Sequence, residues 1–164
     1  MTFADATTLL FVNGTLMRGL ELHHNLAGAV FVGEQWTAPR YRLHSIGDVH
    51  PGMYEVEEGG ANIIGELYRV TRQQRAHILA TEPPGLYLGP VELADGRTVE
   101  GVLFPAVLAA GHTDITAYGG WRAYLAAPGD VAGVPERAGG RDSVIGVSGV
   151  RVDQRLERRE TDVR

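Results

Sequence analysis

Apolar positions change their spacing twice along the chain. Thr7-Thr8-Leu9-Leu10-Phe11-Val12 is a short, continuous run of strand formers that stops at Asn13-Gly14, so it predicts a strand feeding a loop. Leu22 and Leu26, four residues apart, predict a short helix over residues 18–27. From Val30 onward the spacing shortens to two. Phe31-Val32, Arg40-Tyr41-Arg42-Leu43, Gly52-Met53-Tyr54-Glu55-Val56 and the run from Ile63 to Val70 predict successive strands broken by Gly, Pro and Asp. Thr71 with Gln74 three residues on has the form of a capping box, which predicts a helix over residues 72–80. Residues 86–93 and 98–104 flank Asp95-Gly96, the clearest hairpin signal. A last helix is predicted over residues 117–126, carrying Trp121, Tyr124 and Leu125 and stopped by Pro128.

Strands outnumber helices and lack regular helical crossovers. The order predicts an α+β fold with a mixed or mostly antiparallel sheet, not a doubly wound one. Residues 1–127 form the predicted domain. Residues 128–164 hold seven Arg, seven acidic residues and six glycines with few large apolar side chains, which predicts a mobile tail. The alternative is an arm that pairs with a second subunit in a homodimer through a strand at residues 143–152, where Val144-Ile145-Gly146-Val147 sits.

Composition narrows the chemistry. A net charge of −5 argues against a broad nucleic-acid-binding face, and no stretch is apolar enough to predict a membrane span. The start of the chain does not read as a signal peptide, so a cytoplasmic protein is expected. There is no Cys, which excludes disulfides, thiolate metal sites and a cysteine nucleophile. All fifteen basic residues are Arg, which excludes lysine Schiff-base chemistry. The six histidines (23, 24, 44, 50, 77 and 112) contain no i, i+4 pair and no HExxH, so neither a metal nor a cofactor is predicted. Ser45, Ser143 and Ser148 lie outside any G-x-S-x-G elbow. Acyl transfer would therefore need general-base catalysis or a nucleophile within the substrate.

Two segments carry candidate chemistry. The junction Asn13-Gly14-Thr15-Leu16-Met17-Arg18-Gly19 would turn backbone N–H groups toward one spot, which suits a carboxylate or a developing oxyanion. Asn-Gly is equally the mark of a plain turn. Glu82 follows a predicted helix and precedes Pro83-Pro84, which would hold its backbone extended. Apolar Leu79, Leu86 and Tyr87 around it would raise its pKa into the range of a general acid or base. A solvated loop glutamate is the plainer alternative. His44 and His50, on either side of Ile46-Gly47-Asp48, are expected to line a pocket, and His77 to lie on the surface.

Leu10-Phe11-Val12-Asn13-Gly14-Thr15-Leu16, Tyr41-Arg42-Leu43, Pro51-Gly52-Met53, Ile64-Gly65-Glu66-Leu67-Tyr68 and the pair Glu82 and Tyr87 resemble, in order, the γ-glutamylcyclotransferase-like superfamily. A more specific resemblance, over roughly residues 8–126, is to the C-terminal domain of allophanate hydrolase. It is carried by Gly14-Thr15-Leu16-Met17-Arg18-Gly19, Thr37-Ala38-Pro39-Arg40-Tyr41 and above all Gly119-Gly120-Trp121-Arg122-Ala123-Tyr124-Leu125. The resemblance implies a small mixed or antiparallel β-barrel with flanking helices and no cofactor. It implies Glu82 as catalytic acid/base, and a small-molecule site formed by Asn13, Gly14, Thr15, Leu16, Tyr41, His50 and Tyr87.

The cyclotransferase side implies that the substrate's α-amine attacks its own γ-glutamyl carbonyl, giving 5-oxoproline and a free amine. The hydrolase side implies decomposition of N-carboxycarbamate. Asn13 stands where the cyclotransferases usually carry Tyr, and Leu88-Gly89 where an Arg often follows the tyrosine matched by Tyr87. These departures leave a non-catalytic binding or assembly domain as a third expectation, one that predicts an unshifted Glu82 pKa and no enclosed pocket.

Overall fold

The computed structural model describes residues 6–127; the tail at 128–164, with its candidate strand at 143–152, lies outside the described residues. Five strands form one sheet: β1 (Thr7–Val12), β2 (Val30–Trp36), β5 (Ile64–Thr71), β6 (Tyr87–Glu92) and β7 (Thr98–Leu103), in the order β2-β5-β1-β7-β6. A second sheet holds β3 (Tyr41–Ile46), β4 (His50–Glu55) and β8 (Thr113–Asp114), in the order β4-β3-β8. Helices α1 (Arg72–Thr81), α2 (Ala106–Ala109) and α3 (Trp121–Ala126) lie outside the sheets. No helix among the described residues is long and apolar enough to cross a membrane.

β1 is central, antiparallel to β5 and parallel to β7, with Phe11 opposite Leu67 on one side and Gly101 on the other. A strand flanked on both sides and covered on both faces cannot alternate apolar with polar, which explains the unbroken run Leu10-Phe11-Val12, all buried. Gly65 in β5 leaves room for the Phe11 ring, which a Cβ there would meet at 2.6 Å.

The α+β class and mixed sheet agree with the pattern; the barrel does not. Among the described residues both sheets are open. β2 and β6 are free edges that meet only past their ends, at the single bridge Thr37–Leu93, backed by Ala38 N–H to Glu92 O at 2.9 Å and Ala94 N–H to Trp36 O at 2.8 Å. A register shift between Phe31 and Gly33 marks a bulge in β2, and no ladder joins the two edges among the described residues.

The helix expected over residues 18–27 is also corrected. Gly19 takes φ +79°, and Leu22 N–H returns to Thr15 O at 2.9 Å, so only a 3-10 turn at His23–Leu26 forms. Likewise the last helix is divided. A 3-10 turn at Thr116–Tyr118 ends at Gly119 in the left-handed region, and α3 starts afresh at Trp121.

α1 buries only Ile78, so apolar contact alone does not hold it. Its start is fixed by the capping box: Thr71 Oγ1 accepts from Gln74 N–H at 3.1 Å, and Gln74 Oε1 from Thr71 N–H at 2.8 Å. Its body is tied to β7 by Arg75, whose Nε and Nη2 donate to the two oxygens of Glu100, both at 2.6 Å. Thr71→Ala should therefore cost about 1 kcal/mol of stability, read from the urea midpoint; no change would remove the cap's role.

Candidate functional site

The loop leaving β1 is fixed through its carbonyls. Gly14 O accepts from Met17 N–H at 3.0 Å, Thr15 O from Leu22 N–H at 2.9 Å and Met17 O from Leu20 N–H at 3.1 Å. Leu16 O receives His23 Nδ1–H at 2.9 Å, and Arg18 O receives Arg122 Nη1–H at 3.0 Å. Five consecutive acceptors are thus engaged. The N–H groups of Gly14, Thr15 and Leu16 meet no acceptor among the described residues. Such a row of unspent donors suits a carboxylate or oxyanion.

The Asn13 side chain serves the scaffold, with Nδ2 donating to Val102 O at 3.0 Å. Gly14 touches the opposite wall. A Cβ there would lie 2.6 Å from Pro51 Cδ, and a proline ring cannot swing aside.

Glu82 caps the end of α1. Pro83 disfavours helical backbone at the residue before it, so Glu82 turns extended at φ −70°, ψ 148° while its N–H still reaches Ile78 O. Pro83-Pro84-Gly85-Leu86 then makes a tight turn, with Leu86 N–H to Pro83 O at 3.3 Å and Gly85 at φ +93°. The carboxyl is thereby set into apolar surroundings. Its Oε2 is buried and has no hydrogen-bond partner among the described residues. Burial without a compensating donor pushes this carboxyl up to about 7 from an ordinary 4.5.

One pocket joins these parts. It is a narrow, partly open cleft lined by Val12, Asn13, Gly14, Thr15, Leu16, His50, Pro51, Glu82, Leu86 and Val102. Three residues expected to line a pocket lie elsewhere. Tyr41 is buried in β3 with its hydroxyl accepting Glu92 N–H at 2.8 Å, and burial raises its pKa. Tyr87 is an exposed edge residue of β6. His44 is also outside, with Nδ1 against the carbonyls of Ala109 and His112 and Nε2 against the Tyr54 hydroxyl at 3.0 Å. Among the described residues, no three His, Asp or Glu side chains converge as a metal-holding set.

Glu66, absent from the sequence-level candidates, holds the loop in place. It is 1% exposed. Oε1 accepts Arg18 N–H and the Tyr68 hydroxyl, both at 2.9 Å; Oε2 accepts Arg18 Nε at 3.2 Å and Arg122 Nη2 at 2.9 Å. Burial alone would raise its pKa, but the Arg18 backbone, the Tyr68 hydroxyl and the Arg18 guanidinium outweigh that and hold the carboxyl below its usual range. A charged residue directly between Gly65 and Leu67, in the apolar stretch that opens β5, was the available signal.

Residues 8–126 match the family model described as the allophanate hydrolase C-terminal domain. Among solved structures, c4763, a uropathogenic E. coli-specific protein, is 49% identical with a TM-score of 0.71, covering 73% of this chain and 96% of that one. Allophanate hydrolase of Kluyveromyces lactis is 30% identical with a TM-score of 0.68, covering 73% of this chain and 21% of that one. Urea amidolyase of Saccharomyces cerevisiae is 32% identical over 125 residues, 71% of this chain. The chain spans only 7% of the length of that curated relative.

The two glutamates give opposite pH signatures. Glu82 has a folded value near 7 above an unfolded value near 4.5, so the native state retains a proton that the unfolded state releases in that window. Its stability contribution is full below about pH 4.5 and falls as pH rises to 7. Glu82→Gln should match the wild type at pH 4.5 and exceed it by up to about 3 kcal/mol at pH 8. Urea unfolding at both pH values checks this, and equal gaps would remove the shift. Glu66 is depressed, so its contribution is present above the unfolded value and lost as pH falls through the folded one. Glu66→Gln should cost about 2 kcal/mol at pH 7 and less at pH 3.

Proposed function

Because the chain belongs to the allophanate hydrolase C-terminal domain family, we propose that it is a cofactor-free enzyme acting on a small amide-type metabolite, with Glu82 as general acid/base. The first substrate class is a γ-glutamyl amide, cyclised to 5-oxoproline with release of the amine. One observation carries this reading. Glu82, whose buried carboxyl oxygen has no partner, lines the same pocket as Gly14, Thr15 and Leu16, whose N–H groups meet no acceptor among the described residues.

The substrate's α-amine would attack its own γ-carbonyl carbon. As the N–C bond forms, the carbonyl π pair moves to oxygen, whose charge the N–H groups of Gly14, Thr15 and Leu16 receive. Collapse breaks the bond to the leaving nitrogen, which departs with its electron pair and takes up a proton. Glu82, buried and titrating near neutrality, is suited to moving these protons. Supplying the nucleophile from within the substrate agrees with a pocket lined by neither Ser nor Cys. Holding amine and carbonyl together contributes up to about 7–11 kcal/mol toward the barrier.

Family membership favours a second reading, in which the domain decomposes N-carboxycarbamate. That reaction would release CO2 in a coupled assay and depend more on His23, His24 or His50 than on Glu82. The non-catalytic alternative expects an unshifted Glu82 pKa and no enclosed pocket; the buried, unpartnered oxygen, with burial raising the pKa, does not favour the first of these.

A panel of γ-glutamyl amides, other small amides and carbamates, assayed with the wild type and Glu82→Gln, tests the proposal. The expected result is a loss of at least about 10²-fold in kcat for the variant. The wild-type kcat/KM should break near pH 7, and the break should vanish in Glu82→Gln. A folded Glu82→Gln protein with full activity would overturn the assignment.

A further inference from the structure

We propose that His50 is a second catalytic residue of the pocket, a proton acceptor acting through a bare Nε2 while the carboxyl of Glu82 acts as the donor. The inference rests on the reading of Glu82 given above and divides its work between two groups.

The tautomer is dictated by the neighbour. His50 Nδ1 lies 2.9 Å from Pro51 O, and a carbonyl oxygen only accepts, so Nδ1 carries the hydrogen. In the neutral ring Nε2 then holds a lone pair, and it has no hydrogen-bond partner among the described residues. The other buried histidine, His44, differs: both of its ring nitrogens are engaged. His50 is 6% exposed and lines the same pocket as Glu82.

The ring is also held in place. It packs edge-on against Phe104 at 5.8 Å between centroids. Phe104 is wedged between the two segments that supply the pair. A Cβ at Gly52, beside His50, would come within 2.8 Å of its ring, and one at Gly85, beside Glu82, within 2.6 Å. Upstream, Gly47 and Asp48 form a tight turn with φ of +63° and +60°, and Val49 N–H reaches Ile46 O at 3.1 Å. Asp48 is anchored in turn by its N–H on Ser45 Oγ at 3.1 Å and by the Tyr124 hydroxyl at 2.6 Å. Neither ring position nor tautomer needs to reorganise for reaction.

The division follows from what each group's neighbours leave open. A carboxyl whose inner oxygen has no donor is suited to giving a proton, and an imidazole whose Nδ1–H is spent on a carbonyl is suited to accepting one through Nε2. No other titratable residue lines the pocket. In the cyclisation, the attacking nitrogen gives a proton to Nε2 as the N–C bond forms and the carbonyl pair moves to oxygen. On collapse, the leaving nitrogen takes its bonding pair and the proton of Glu82. Imidazolium and carboxylate are then one proton transfer from their starting forms, and no further reactant is consumed.

The test uses the full chain. His50→Asn keeps an amide donor near the Nδ1 position but has nothing at Nε2, and His50→Gln reaches toward Nε2 with an amide. Both should lose at least about 10²-fold in kcat on any substrate the panel identifies, with KM within about threefold. The wild type should lose kcat/KM above about pH 7 as Glu82 ionises. ¹⁵N NMR of the wild type, which needs no substrate, should show Nδ1 protonated and Nε2 bare.

Wild-type kcat in a folded His50→Asn protein, or a ring protonated at Nε2 alone, would overturn the inference. Loss in Glu82→Gln with none in His50→Asn would overturn it and leave the Glu82 reading standing. Loss in His50→Asn with none in Glu82→Gln would overturn both the Glu82 reading and this division of work, and is the pattern the N-carboxycarbamate reading expects.

Discussion

Two glutamates are withdrawn from water in this domain, and the structure treats them in opposite ways. Glu66 is surrounded by donors from the loop, from its own strand and from α3, so it remains ionised and binds three segments together. Glu82 is given none for its inner oxygen. Desolvating a carboxylate costs several kcal/mol unless donors offset it, and the same physics makes one group a fastener and leaves the other ready to exchange a proton. Fastening comes first. With Arg18 held on both its N–H and its C=O, the loop upstream keeps the shape that leaves its amides unspent.

Much of the frame could be read from spacing. The capping box at Thr71 and the turn at Asp95-Gly96 depend on near neighbours only, and both occur where local chemistry places them. The continuous run before Asn13 was legible as a strand; that it sits centrally, flanked on both sides, is a tertiary fact. Misjudgements came where a distant partner decides. Residues 18–27 have helical spacing, yet Gly19 and the return bond to Thr15 break the ladder. Closure into a barrel depends on whether two edges run together over their length, and no local pattern records the bulge in β2.

The site was legible in the same uneven way. Glu82 and the loop at residues 13–16 stood out because Pro83-Pro84 and Asn13-Gly14 constrain their own backbone. Tyr41 and Tyr87 were grouped with them through resemblance, but one is spent on Glu92 N–H and the other faces outward. Leu86, Val102 and Pro51 complete the walls only because four separate segments converge. Some relatives carry this unit within much longer proteins, while another matches it over nearly its whole length.

The row of engaged carbonyls behind Gly14, Thr15 and Leu16 bears on how such a domain can evolve. Donors that belong to the main chain survive the exchange of nearly any side chain except where, as at Gly14, the opposite wall leaves no room. Lining residues are then free to change while this row of backbone donors keeps its shape. In a fold built this way, the side chains around the pocket can vary further than the main chain beneath them.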